Sequence, residues 1–124
     1  MRVAVLVDLA YGSQAGGHVR YWENCARAGA AVGAEGAAAA GLDLTVYFNG
    51  EAEETIVLSE AVRLQLLKLR FSTARLPFLS HVPDHTDLAR HHPELARRLE
   101  DADVIHTTDG YFAYARTAAR VAAK

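Results

Sequence analysis

The stretch from Val3 to Ala28 limits the possible folds more than any other part of the chain. It runs as the apolar series Val3-Ala4-Val5-Leu6-Val7, the small-residue turn Gly12-Ser13-Gln14-Ala15-Gly16-Gly17, and an amphipathic segment starting at His18. A valine-rich run of this length suits a strand covered on both faces, as in a parallel sheet with helices above and below. The turn then falls at the carboxyl end of the strand, where open α/β sheets bind their ligands. Gly16 and Gly17 have no side chain, so a ligand oxygen can approach their N–H groups closely. The helix that follows aims its unpaired N–H groups and the positive end of its dipole at the same spot. An anion is the expected guest, with the phosphate of a nucleotide or sugar phosphate as the first chemistry to consider. A purely structural turn remains the alternative. The segment lacks Gly-x-Gly-x-x-Gly, and His18 stands where a P-loop would place lysine.

Beyond His18, the residues Val19, Trp22, Cys25 and Ala26 recur at three- and four-residue steps and predict a helix face packed on the sheet. Arg20, Glu23, Asn24 and Arg27 take the wet face. Residues 29–41 form a low-complexity Ala/Gly insertion in which each internal glycine costs a helix about 1 kcal/mol, so a helix that either continues with weak specification or ends and restarts, stopping at Gly41, is expected. Leu42 to Phe48 alternates as a second strand, closed by the turn pair Asn49-Gly50. Thr55–Leu58 and Val62–Leu67 are two further strands. Glu51, Glu53 and Glu54, between these strands and the previous one, read as a solvated turn rather than a metal site.

Phe71 to His92 is a long irregular segment, and such segments inside compact domains are often functional. It holds His81, His85, His91 and His92, four of the six histidines. A metal site, a plain hydrogen-bonded loop and a substrate-contact loop are all open; the substrate-contact loop is favoured, because the spacing fits no familiar metal pattern. Pro93 and Glu94 suit the first turn of a helix, with Leu95, Ala96 and Leu99 as its buried stripe. Asp103-Val104-Ile105-His106-Thr107-Thr108-Asp109-Gly110 then repeats the opening logic of strand, polar tip and glycine ahead of a helix from Tyr111 to Lys124. His106, Thr108 and Asp109 should project at the same carboxyl edge as Gly16 and Gly17. Asp109 also reads as an N-cap of the last helix.

The 124 residues predict a single domain spanning 1–124, an α/β, Rossmann-like, mostly parallel sheet with flanking helices. A formal net charge of -2 argues against a nucleic-acid partner that needs many phosphate contacts. The lone Cys25 excludes an internal disulfide or multi-cysteine zinc site and fits a reducing compartment. Val3 to Val7 is too short for a signal peptide and is interrupted by Asp8, and no run is long enough to span a bilayer. The expectation is a soluble, cytoplasmic chain.

Two segments taken together resemble a known family. Gly16-Gly17-His18-Val19 after the first strand, joined to Asp103 through Phe112 ahead of an alanine-rich helix, is similar to the N-terminal domain of retaining glycosyltransferases of the GT-B fold, in the bacterial subfamily 4-like group. Arg75-Leu76-Pro77-Phe78-Leu79-Ser80-His81 and Pro83-Asp84-His85 resemble the acceptor-side loop of one branch. The resemblance covers most of the chain except 29–41. It implies transfer of a sugar from a nucleotide-diphosphate donor to a hydroxyl acceptor, with no metal and no cofactor. Gly12, Gly16, Gly17 and His18 would form the donor-binding loop. His106, Thr108 and Asp109 would occupy the catalytic edge, and Arg75, His81, Asp84 and His85 would contact the acceptor. Many relatives carry a second histidine where this chain has Thr108. The resemblance also implies a missing C-terminal domain that would bind most of the donor, so the chain reads as a fragment, inactive alone. Its place would be cytoplasmic, peripheral at the inner face of the membrane. The rival readings are a non-catalytic Rossmann- or flavodoxin-like binding module and an inactive truncated remnant.

Overall fold

A computed structural model of the chain describes residues 1–12, 14–32 and 38–124. The opening strand β1 (Arg2–Ala10) leads into helix α1 (Gly17–Ala31). Strands β2 (Asp43–Gly50), β3 (Glu54–Val57) and β4 (Val62–Lys68) follow, then a 3₁₀ turn at Thr73–Arg75, helix α2 (Pro93–Leu99), strand β5 (Val104–Thr107) and helix α3 (Ala113–Ala122). The five strands form one sheet in the order β3-β4-β2-β1-β5. All neighbours are parallel except β3, which pairs antiparallel with β4 at one edge. The fold is therefore α/β with a mixed, mostly parallel sheet and flanking helices, consistent with a Rossmann-like arrangement. No helix among the described residues is long and apolar enough to cross a membrane.

The valine-rich run of β1 is explained by helices on both sides of the sheet. Val5 and Val7 join Val46, Phe48 and Leu64 under Val19 and Ala26 of α1. Ala4 and Leu6 face the other way, with Tyr47 and Leu67, onto Leu95 and Leu99 of α2 and Tyr114 and Ala118 of α3. Each side chain alternates faces along the strand, so both parities must be apolar.

Four local expectations are corrected. Asn49 and Gly50 do not form a hairpin turn: they close β2, paired in parallel with Leu67 and Lys68. Long-range pairing overrides the turn preference of the dipeptide, and Asn49 is fully buried. Glu23 is not on a wet face. Only 7% of it is exposed, because the Tyr11 hydroxyl donates to its Oε1 at 2.8 Å and Arg27 Nη2 does so at 2.9 Å. Burial raises the Glu23 carboxyl pKa, but these bonds and the nearby arginines outweigh it and hold the carboxyl below its usual range. The last helix begins at Ala113 rather than Tyr111. Within the Ala/Gly insertion, α1 ends at Ala31, Gly41 adopts φ +64° just before β2, and positions 33–37 lie outside the described residues.

Candidate ligand site at the carboxyl edge

The site follows from strand order. After β1 the chain crosses through α1 to β2 on one side, whereas β5 lies on the other side of β1. The crevice between the carboxyl ends of β1 and β5 is a topological switch point, the usual ligand position in such sheets. Tyr11, Gly12 and Ala15-Gly16 lie on one bank of it and Thr107 to Gly110 on the other.

The first bank is well anchored. Tyr11 N donates to Asn49 O at 2.9 Å, and Ala15 N closes a turn on Gly12 O at 3.1 Å. Gly16 is the N-cap of α1 and has no side chain to supply a cap. Asp84 supplies one instead, its Oδ1 accepting from Gly16 N at 2.9 Å. A Cβ on Gly16 would lie 2.4 Å from Asp84 Oδ2, whereas one on Gly17 would meet open space. The anionic partner predicted for this turn is thus a carboxylate of the same chain.

On the second bank, Thr108 N and Oγ1 both donate to Leu6 O, at 3.2 and 3.0 Å. Asp109 Oδ1 accepts from Tyr111 N at 3.1 Å and Phe112 N at 3.2 Å. These bonds hold the turn that precedes α3, which explains its later start and meets the capping expectation for Asp109 in part. His106 pairs with Val5 and so lies on the α1 side of the sheet, against Trp22 of that helix. It is exposed, and its ring packs at a 52° tilt against Trp22 with centroids 5.1 Å apart. His18, Tyr21, Trp22, His106, Thr107 and Thr108 line an open pocket of about 590 Å³. Three predicted residues, His18, His106 and Thr108, therefore share one pocket. Tyr21 and Trp22 were missed as site residues, because helical spacing identifies a buried stripe and not the margin where the stripe leaves the sheet.

The Phe71 to His92 segment is irregular, as expected, but its ends are clamped. Asp87 accepts from Arg70 N at 2.8 Å, Phe71 N at 3.0 Å and Ala89 N at 2.9 Å. The four acceptor-side residues separate. Asp84 helps line an apolar recess of about 260 Å³ with Leu79, Val82, Leu88 and Phe112. His85 Nδ1 faces Thr73 Oγ1 at 3.3 Å. His81 is exposed, and Arg75 lines a different cleft. His92 is buried as the N-cap of α2, its Nδ1 accepting from Leu95 N while Nε2 meets Lys68 O. Among the described residues, no three His, Cys, Asp or Glu side chains are grouped to hold a metal ion.

Beneath the crevice lies a polar cluster with no local sequence signal. Asp8 is 1% exposed; its Oδ1 accepts from Asn49 Nδ2 at 2.7 Å and Asp87 N at 3.1 Å, and its Oδ2 from Tyr114 N at 2.9 Å. Burial pushes its pKa up to about 6, against the lowering effect of these three bonds. Tyr114 donates its hydroxyl to Phe48 O at 3.1 Å. Asn49 Oδ1 is buried without a partner. The cluster ties β1, β2, the irregular segment and α3 together at one point.

Comparisons with protein-family models, with curated proteins and with solved structures find no significant match to this chain.

Proposed function

We propose that the chain is the acceptor-side domain of a nucleotide-sugar-dependent glycosyltransferase of GT-B type, acting with a second α/β domain that holds most of the donor. The observation that carries this reading is the switch-point crevice. His18 in the first turn of α1 and His106, Thr107 and Thr108 at the end of β5 line one opening, with Gly16, Gly17 and Asp109 outside its lining, and a diphosphate with its sugar would lie along that edge. Backbone N–H groups at Gly16 and Gly17 would stabilise charge on the departing diphosphate. His106 and His18 would face the transferred sugar. Asp84 would have to leave Gly16 N for a phosphate oxygen to take its place.

The test is amide NMR of the chain titrated with UDP-glucose and GDP-mannose. Shifts centred on Gly16, Gly17, His18 and Thr108 are expected, with Gly17→Val weakening binding while leaving the melting temperature in place. Shifts that avoid these amides, or parallel losses of binding and stability in Gly17→Val, would sink the reading. A non-catalytic binding module is favoured by one specific observation: Thr108 Oγ1 and Asp109 Oδ1 are both engaged by backbone groups. Nucleotide-sugar binding unchanged by Thr108→Ala and Asp109→Ala would support that second reading.

A further inference from the structure

A second opening lies at the carboxyl ends of β2 and β4, on the far side of β2 from the switch point. It is a cleft of about 530 Å³ whose lining includes Lys68, Arg70 and Arg75 together with Glu51, Glu53 and Glu94. The charges are not matched within it. Glu53 and Glu94 are both bound by Arg98, and Glu51 has no cation partner among the described residues. Lys68, Arg70 and Arg75 have no carboxylate partner among the described residues. Arg90, Arg116, Arg120 and Lys124 also have no carboxylate partner among the described residues, so what distinguishes Lys68, Arg70 and Arg75 is that all three line one cleft.

Their backbone positions are fixed from beneath. Lys68 O faces His92 Nε2 at 3.1 Å, Arg70 N donates to Asp87 Oδ2 at 2.8 Å, and Arg75 N donates to Ser72 O at 3.1 Å. Three anchored stems holding flexible cationic heads form a receptor whose ordering cost falls mainly on the heads. One guanidinium fork suffices for a planar carboxylate, whereas a tetrahedral dianion presents oxygens to several cations at once. The volume leaves room for a short polyol beside the anion, and Glu51 can accept from its hydroxyls.

We propose that this cleft binds a phosphomonoester, with Lys68, Arg70 and Arg75 on the phosphate and Glu51 on the attached polyol. Naming the phosphomonoester as the acceptor rests on the glycosyltransferase reading, but the binding itself does not. The switch point could be empty of function and the cleft would still take its phosphate.

The experiment is titration of the intact chain with glycerol 3-phosphate, with glycerol as the neutral control, followed by NMR and calorimetry. Binding should appear for the phosphate ester and not for glycerol. It should weaken about tenfold in Arg70→Gln and in Arg75→Gln, the loss of one charge-assisted contact, and remain in Arg116→Gln on α3. Added salt should weaken it, and the melting temperature of each variant should stay near that of the parent. A parallel arm measures co-sedimentation with phosphatidic acid vesicles, whose headgroup is a phosphomonoester, against neutral vesicles. If glycerol 3-phosphate fails but vesicles bind and both arginine variants abolish that binding, the phosphate ester is one presented on a membrane. If neither probe binds, or if Arg116→Gln weakens binding as much as the cleft variants, the proposal is overturned. Loss of nucleotide-sugar binding at Gly17 has no bearing on either arm.

Discussion

The buried cluster around Asp8 and the open cleft around Arg70 are linked through Asp87 and treat charge in opposite ways. Asp87 N reaches down to Asp8, and its carboxylate reaches up to Arg70 N. Below, two carboxylates that are at most 1% exposed have no cation and are satisfied by neutral N–H donors. Above, three exposed cations have no carboxylate partner among the described residues. A buried charge saturated with hydrogen bonds holds elements together, because removing it strands every donor it served. An exposed charge without a partner contributes little to folding and stays available to a ligand. Substitutions below should therefore register in stability, and those above in binding.

The largest effect is expected from Asp8→Ala. It leaves Asn49 Nδ2, Asp87 N and Tyr114 N without their acceptor, a loss of about 3 kcal/mol at neutral pH by chemical denaturation. An effect below about 1 kcal/mol would mean that water replaces the carboxylate and that the cluster is not an organising point. Close behind comes a dependence on pH. The folded pKa of Asp8, about 6, lies above its ordinary value of 3.8, so the native state holds this proton more tightly than the unfolded chain. Its contribution is fully present below about pH 4 and is lost as pH rises through 6, by about 3 kcal/mol at most. The stability difference between the parent and Asp8→Asn should shift in that window. A difference that stays flat from pH 4 to 7 would show that the three bonds outweigh burial.

Gly16 and Asp84 form the intermediate case, a carboxylate at the rim that serves one donor. Gly16→Ala should cost about 1 kcal/mol by expelling Asp84, and little more should be lost when Asp84→Ala is added. Additive losses would break the link between the two loops. Gly17→Ala, with open space around its Cβ, is the control and should fall within about 0.5 kcal/mol. The smallest changes in stability belong to Arg70→Gln and Arg75→Gln, again within about 0.5 kcal/mol.

Legibility in the sequence follows the same division. The strand-turn-helix from β1 to α1 was readable because its signals are local: an apolar run, glycines, then three- and four-residue spacing. The β5 strand and its polar tip were readable for the same reason, and strand order then put His18, His106 and Thr108 on one pocket. What the residues could not disclose were partners distant in sequence. Asp84 caps a glycine 68 residues away. Asn49 looked like a turn former because that preference is local, whereas its pairing with Leu67 is not. Asp8 read only as a break in an apolar run, since nothing near it in sequence announces the three donors that converge on it. Arg75 was singled out, yet its neighbours in the cleft, Lys68 and Arg70, belong to a strand end that was read for its apolar alternation alone.

The reach of Asp8 also bears on the order in which the molecule assembles. Its three donors are 41, 79 and 106 residues away along the chain, so it completes its bonds only when segments from nearly the whole chain have met. Closing such loops is entropically costly, and contacts of this span tend to form after the main barrier has been crossed. Asp8 should then act as a latch on the finished molecule. Asp8→Ala would leave the refolding rate almost unchanged and accelerate unfolding by most of its effect on stability. Stopped-flow refolding slowed in proportion to the stability lost would instead place the latch in the folding nucleus.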